Sequence, residues 1–343
     1  MATGGKKAAE PSLEGKTIVL CYPVESRHRL AIAEAAPGAT IIDAGQERIG
    51  EAIFSADIFI GHAKVPVDWD GVVRQGRLKW IQSSAAGLDH CLVPSVIESD
   101  IPVCSFRLVR QSSRRADAGP VVRVAVRSLP TFFRQTLSRE FVRRPTYDLH
   151  GKTIGIVGLG GNGRRLAQVL APFRTRILAT DYYPVRKPPE VAELLPADRL
   201  LDMAAQCQIL ILSLPLNAST EKLIDRKVFD AMPRGSWLIN VARGQVVNEE
   251  DLVEALKDGR LQGAGVDVTY VEPLPTESPL WSLPNVIITP HVGAQAESRV
   301  DDSTRLACEN LKRFAAGRPL VNLVDKRLGF PHPDVMAANL MTS

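Results

Sequence analysis

The turn Gly158-Leu159-Gly160-Gly161-Asn162-Gly163 constrains this chain more than any other feature, because of what stands on either side of it. Before it, Thr153-Ile154-Gly155-Ile156-Val157 reads as a strand; after it, Leu166, Val169, Leu170 and Phe173 recur at helical spacing. In a strand–turn–helix of this kind the first glycine permits the tight turn. The second lets backbone approach a pyrophosphate, and the third lets the helix pack closely on the strand. The helix start then presents N–H groups and a positive dipole end to phosphates. A second strand, Arg176-Ile177-Leu178-Ala179-Thr180, ends in Asp181, eighteen residues past Gly163. A carboxylate there accepts hydrogen bonds from ribose hydroxyls and repels a 2′-phosphate, which predicts NAD as the cofactor. Arg186 and Lys187 argue the other way, and a plain turn residue is the structural alternative for Asp181.

The same kind of entry occurs twice. Leu13-Glu14-Gly15-Lys16-Thr17-Ile18 and Leu149-His150-Gly151-Lys152-Thr153-Ile154 each open an alternation of short β-branched strands and helical stretches. That alternation predicts an α/β chain with two Rossmann-like, doubly wound parallel sheets, covered by helices on both faces. The expected strands are 17–22, 39–43, 57–61, 78–83 and 101–104, then 153–158, 176–180, 208–213, 236–240, 263–267 and 286–288. A last helix is expected over 296–316, stopped by Gly317-Arg318-Pro319. Residues 1–13 and 331–343 read as flexible tails.

Composition narrows the class of protein. The chain is 45% hydrophobic and 23% charged, the balance of a soluble globular protein. No apolar run reaches the ~18 residues of a membrane helix, and the polar start has no signal-peptide core. The five cysteines are scattered, without disulfide or zinc spacing, which predicts a cytoplasmic protein and no metal site. The net charge of +4 is local: 106–127 holds six arginines and one acid, Asp117, a sum of +5 that leaves −1 elsewhere. A nucleic-acid partner would require a spread basic face, so none is expected.

Three later stretches each put a polar residue just past an apolar strand: Asn240-Val241-Ala242-Arg243-Gly244, Gly265-Val266-Asp267 through Glu272-Pro273, and Thr289-Pro290-His291-Val292-Gly293. The carboxyl edge of such strands is where open α/β sheets bind ligands. Singly, these are a surface arginine, a turn glutamate and a strand-capping histidine. Together, on one edge with a cofactor turn, they form a site.

On these motifs the chain resembles the D-isomer-specific 2-hydroxyacid dehydrogenases, which include glyoxylate/hydroxypyruvate reductases and phosphoglycerate dehydrogenases. The resemblance covers roughly 15–105 and 128–325. It implies a flavodoxin-like substrate-binding domain (14–105 and 299–330) and an NAD-binding domain (128–298), with Val321-Asn322-Leu323-Val324 returning to the former. It implies NAD-dependent interconversion of a small 2-oxo acid and its D-2-hydroxy acid. Arg243 would hold the substrate carboxylate and keto oxygen as a bidentate cation. His291 would donate a proton to the carbonyl, and Glu272 would pair with it, fix its tautomer and favour its protonated form. Leu214, Pro215, Thr220, Ala242, Asp267 and His291 would join the glycine turn and Asp181 around the cofactor, Asp267 at the nicotinamide carboxamide. Ala85, Ala86 and Gly87, in the loop Ser84 to Asp89, would offer backbone amides to the substrate carboxylate. Lys64 and His62 are further candidates facing that substrate, or ordinary loop residues. A homodimer through the NAD-binding domain is implied, with no membrane partner. An NADH-binding scaffold of the corepressor type would keep the same fold and residues.

One segment departs from the family. Where a hydrophobic interdomain helix is expected, Phe106 to Arg123 has no helical apolar stripe, and Gly119-Pro120 would break one. When the second and third bases of each codon are joined to the first of the next, the codons possible for 106–125 allow SGLFANPLAEQTLALLFGLL, which is such a helix. Residues 106–127 therefore read as bracketed by compensating frameshifts, with a genuine Arg-rich insertion or regulatory segment as the alternative. Six arginines are too costly to bury unpaired, so a chain folded as written keeps them solvated or disordered, or is an inactive product.

Overall fold

The computed structural model describes residues 13–106, 129–293 and 295–332. The chain divides into two compact units, Met1–Val109 with Glu297–Ser343, and Arg110–Ala296.

In the first unit five parallel strands, β1 (Thr17–Cys21), β2 (Thr40–Asp43), β3 (Ile58–Gly61), β4 (Trp80–Ser83) and β5 (Val103–Cys104), lie in the order β2-β1-β3-β4-β5. This is the flavodoxin-like order. Consecutive residues of β1 are buried on both faces: Val19 packs with Phe59, Trp69 and Ile81, while Ile18 and Leu20 pack with Ile60, Trp80 and Leu311. A strand buried on both sides needs an unbroken apolar run, which is why Ile18-Val19-Leu20-Cys21 does not alternate. The helix Arg299–Ala315 brings Ala307 and Leu311 into this unit, and the chain after it bonds to β5. Leu323 bridges Cys104, and the Val324 amide donates to the Val103 carbonyl at 3.0 Å.

In the second unit seven parallel strands follow: β6 (Thr153–Val157), β7 (Arg176–Asp181), β8 (Val191–Pro196), β9 (Ile209–Leu212), β10 (Ser236–Asn240), β11 (Leu261–Val266) and β12 (Val286–Ile288). Their order is β12-β11-β10-β9-β6-β7-β8, so the winding reverses between β6 and β9. The crevice outside the carboxyl ends at such a reversal is where this topology takes ligands.

The expected strands all form, with ends shifted by a few residues. The pattern missed β8, which runs along the outer edge beside β7. Its sequence, Val191-Ala192-Glu193-Leu194-Leu195-Pro196, is fully buried only at Val191, so it carries none of the apolar run that marks the inner strands. Two boundary residues also differ from expectation. Leu13, counted with the tail, packs into the first unit's core. Phe106, counted with the Arg-rich segment, is buried and donates its amide to the Ala85 carbonyl at 2.8 Å. The rest of that segment, and 1–12 and 333–343 of the expected tails, lie outside the described residues.

Candidate active site

The glycine turn leaves β6 at Val157, and its glycines are required by contacts. A side chain at Gly158 would meet the Ser213 carbonyl oxygen at 2.6 Å, on the turn that leaves β9. One at Gly163 would overlap the Gly158 carbonyl and press on Ile156, so the third glycine sets the approach of the helix Gly161–Leu170 to its own strand. No acidic residue stands in that helix's first turn, and Gly161 and Asn162 are exposed. Together these make a backbone-lined, electropositive cradle into which a dinucleotide's phosphates fit.

Asp181 closes the end of β7 beside this turn. Its Oδ2 accepts from the Leu159 amide at 2.7 Å and its Oδ1 from the Tyr183 amide at 2.9 Å. A carboxylate oxygen has room for two donors, so both remain able to accept from hydroxyls. Arg164 donates instead to the carbonyls of Arg186, at 2.7 Å, and Val185, at 3.2 Å. Burial pulls its guanidinium below its ordinary pKa, while the Asp181 charge opposes that pull.

Leu214 and Pro215 continue from β9 on the other side of the reversal. Thr220 holds this loop closed: its hydroxyl donates to the Pro215 carbonyl at 2.8 Å and accepts from the Asn217 amide at 2.8 Å.

The remaining residues stand at the ends of three adjacent strands, β10, β11 and β12. After β10, buried Asn240 shapes the turn: its Oδ1 accepts from Ala242 N and its Nδ2 donates to the Arg243 carbonyl, both at 3.0 Å. Ala242 is buried and Arg243 half-buried, with one guanidinium N–H on the Ala242 carbonyl at 2.7 Å. Gly244 follows because its Cα lies against the Thr269–Tyr270 peptide, where a side chain would overlap the Thr269 carbonyl.

After β11, Asp267 is buried and takes three donors from the turn that follows β12. Its Oδ1 accepts from the Thr289 hydroxyl at 2.6 Å and the Val292 amide at 2.9 Å, and its Oδ2 from the Gly293 amide at 2.9 Å. Its carbonyl accepts from the His291 amide at 2.8 Å. Asp267 therefore pins the backbone on both sides of His291, whose φ of +53° is one that few side-chain-bearing residues adopt. Glu272 reaches the same turn: its Oε2 accepts from His291 Nδ1 at 2.8 Å, while its Oε1 accepts from Thr269 N at 3.2 Å. A carboxylate has no proton to give, so Nδ1 carries the hydrogen and Nε2 is the nitrogen left to exchange a proton with a ligand.

In the first unit, the loop after β4 departs from expectation at one residue. The Ala85 amide donates to its own loop, to Ser83 Oγ at 3.0 Å, whereas those of Ala86 and Gly87 have no partner among the described residues. Three residues that hold the second-unit site were not singled out from the sequence: Asn240, Gln245 and Glu249. Asn240 was legible as a polar residue ending an apolar strand; the other two act through backbone contacts that carry no sequence signal. Among the described residues, no three His, Cys, Asp or Glu side chains gather as a metal would require.

Comparison with known proteins identifies the family. The sequence profile of the D-isomer specific 2-hydroxyacid dehydrogenase, NAD binding domain, matches residues 122–293. The chain is 32% identical over 252 residues to a glyoxylate reductase/hydroxypyruvate reductase of Homo sapiens, covering 71% of this chain and 76% of that protein. A solved D-isomer specific 2-hydroxyacid dehydrogenase of Xanthobacter autotrophicus Py2, in complex with NADPH and MES, superposes with a TM-score of 0.77 at 29% identity, covering 92% of this chain and 99% of that one. An NADPH-dependent glyoxylate/hydroxypyruvate reductase of Sinorhizobium meliloti, bound to NADP and sulfate, gives the same TM-score at 27% identity, covering 92% and 100%.

Proposed function

The chain belongs to the D-isomer specific 2-hydroxyacid dehydrogenase family, oxidoreductases that use a nicotinamide cofactor, and within it we propose that this protein interconverts a small 2-oxo acid and its D-2-hydroxy acid with NAD. The observation that carries the reading is the 2.8 Å pairing of His291 Nδ1 with Glu272, on the sheet edge that also bears Arg243 and the glycine cradle.

In the reducing direction the hydride for the carbonyl carbon would come from a nicotinamide held by the glycine turn and Asp181. The chain's own residues do the rest. Arg243 holds the substrate's carboxylate and keto oxygen, drawing electron density toward that oxygen. His291 gives the Nε2 proton to the oxygen as it becomes a hydroxyl, and Glu272 stabilises the imidazolium beforehand and keeps the ring in register. In oxidation the same nitrogen takes the proton back. Asp267 orients the His291 turn, and the acceptor capacity left on its Oδ2 is what a nicotinamide carboxamide would meet. Leu214, Pro215, Thr220 and Ala242 line the cofactor's path. Ala86 and Gly87 of the first unit offer amides to a carboxylate.

The choice of NAD rests on Asp181, whose carboxylate is fixed where a 2′-phosphate would be repelled, while Arg164 is spent on backbone carbonyls. A homodimer through the second unit is supported by Phe133, Leu137 and Phe141, 67%, 86% and 98% exposed, the first two on the helix Leu129–Ser138. Phe133 and Leu137, one helical turn apart, with Phe141 just past the helix end, are apolar surface that calls for a partner. A reducing compartment suits the five free thiols, and among the described residues no helix is long and apolar enough to cross a membrane.

The test is steady-state oxidation of NADH and NADPH with glyoxylate, hydroxypyruvate and pyruvate. Turnover with at least one acid, with NADH preferred, and its loss in Arg243→Ala, is expected. NADH binding without turnover of any 2-oxo acid would favour the corepressor-type scaffold.

A further inference from the structure

Glu272 and His291 are 37% and 41% exposed. A hydrogen-bonded pair that open to water contributes little by itself, because two long side chains must be held in one geometry against solvent. Its register therefore has to come from the backbone beneath. For His291 that anchor is Asp267. For Glu272 it lies in the backbone of a single residue two positions upstream, Tyr270.

Tyr270 is gripped at both ends by the chain that follows Arg243. Its N–H donates to Glu249 Oε2 at 3.0 Å, and its carbonyl accepts from Gln245 Nε2 at 2.8 Å. Glu249 is the first residue of the helix Glu249–Lys257, whose start is capped by Asn248, so its carboxylate projects from a rigid element. Gln245 is fixed in turn, its carbonyl accepting from the Lys222 amide at 2.8 Å, while Lys222 Nζ stands 5.5 Å from the centre of the Tyr270 ring. Between Tyr270 and Glu272 the chain has no slack. Thr269 Oγ1 donates to the Val271 carbonyl at 2.8 Å, and Thr269 N to Glu272 Oε1. A shift of the Tyr270 backbone therefore moves the Glu272 carboxylate.

The geometry points to Gln245 and Glu249 as positioning residues that clamp the Tyr270 backbone from both sides and so set how squarely Glu272 meets the His291 ring. This rests on the reading of Arg243, Glu272 and His291 given above, and it ties the residue that binds substrate to the pair that moves the proton. The charged groups that contacts among the described residues bring toward the pair are Asp267, through the His291 turn, and Lys222 and Glu249, through Tyr270. Removing Glu249 also removes a negative charge, so charge and clamp must be separated. Glu249→Gln does this, since its amide oxygen still accepts from the Tyr270 N–H. Gln245→Ala does so from the other side, with no change of charge.

The experiment measures each variant of the full chain for thermal stability, for kcat and KM with NADH and glyoxylate, and, by NMR, for the hydrogen-bonded Nδ1–H resonance of His291. In Glu249→Ala and Gln245→Ala we expect kcat to fall about tenfold with KM for NADH within about twofold. The Nδ1–H resonance should move upfield or broaden, because a loosened Glu272 no longer holds that hydrogen in one geometry. Glu249→Gln should restore both. An unchanged Nδ1–H resonance in the two alanine variants, or a Gln variant as impaired as Glu249→Ala, overturns the clamp. If the native chain turns over no 2-oxo acid, the functional reading fails, and the Nδ1–H resonance still decides the clamp.

Discussion

The strands β1 and β6 are entered through the same geometry. In each, a buried leucine (Leu13, Leu149) precedes a glycine at φ +72° (Gly15, Gly151), and a lysine amide (Lys16, Lys152) closes the turn onto the leucine carbonyl at 3.0 Å. At their far ends the two strands part company. Past β1, the start of the helix Ser26–Ala35 is occupied by its own side chains: the Glu25 amide donates to His28 Nδ1 at 2.9 Å, and His28 Nε2 pairs with Asp301 at 2.7 Å. Past β6 the glycine turn leaves the start of the next helix without a side-chain cap. The comparison teaches that the entry turn builds the sheet, while the exit turn decides whether a helix start serves the fold or a ligand.

The strongest way to break that contrast is through the two histidine–carboxylate pairs. His28 is buried against Asp301, and His291 is exposed against Glu272. His291→Gln should lower kcat by roughly 10²–10⁴-fold, the usual worth of a general acid, while His28→Gln should leave kcat near native. Equal losses in both, in the same assay, would mean that exposure does not separate the two roles.

Next in size is Gly163→Ala. Its methyl group would overlap the Gly158 carbonyl and push the helix off its strand. Overpacking of ~1–3 kcal/mol corresponds to roughly a five- to 150-fold loss of NADH affinity if it falls on the cradle, read by titration of NADH fluorescence.

Gly15→Ala and Gly151→Ala probe the shared entry. Neither meets any atom, so the cost is the left-handed backbone alone, about 1 kcal/mol each. Thermal unfolding should show similar losses in the two, with NADH binding unchanged; a loss of binding in Gly151→Ala would tie the entry turn to the cofactor end.

The smallest effect concerns Asp301, which the His28 hydrogen bond, reinforced by the Arg27 charge, holds below the ordinary carboxylate range. A carboxylate so depressed stabilises the fold in full above its unfolded value of about 3.9. That contribution disappears as the pH falls through the lower folded value. Asp301→Asn should therefore lower the melting temperature slightly at neutral pH, and that effect should begin to fade as the pH drops below about 4.

How much of this was legible depends on whether a residue's role is announced by its neighbours in sequence. The inner strands were, because burial on both faces demands runs such as Ile18-Val19-Leu20 and Leu210-Ile211-Leu212. β8 was not, since an edge strand with Glu193 and one buried end looks like loop. The cofactor turn was, because its glycine spacing encodes three close approaches. The pairing of Glu272 with His291 was expected by resemblance; that Asp267 spends its carboxylate on the Thr289–Gly293 turn was not.

By itself, then, the sequence determined two parallel α/β sheets, the place of the glycine turn and which polar side chains sit at strand ends. These follow from local periodicity and sterics, which neighbouring residues carry with them. Only the tertiary structure decided which strands stand side by side, that Asp181 is bonded to the Leu159 amide, that Ala85 gives its amide to Ser83, and that Gln245 and Glu249 meet at Tyr270. Those are contacts between segments twenty or more residues apart or hydrogen bonds to backbone, and a backbone amide looks the same whatever side chain it bears.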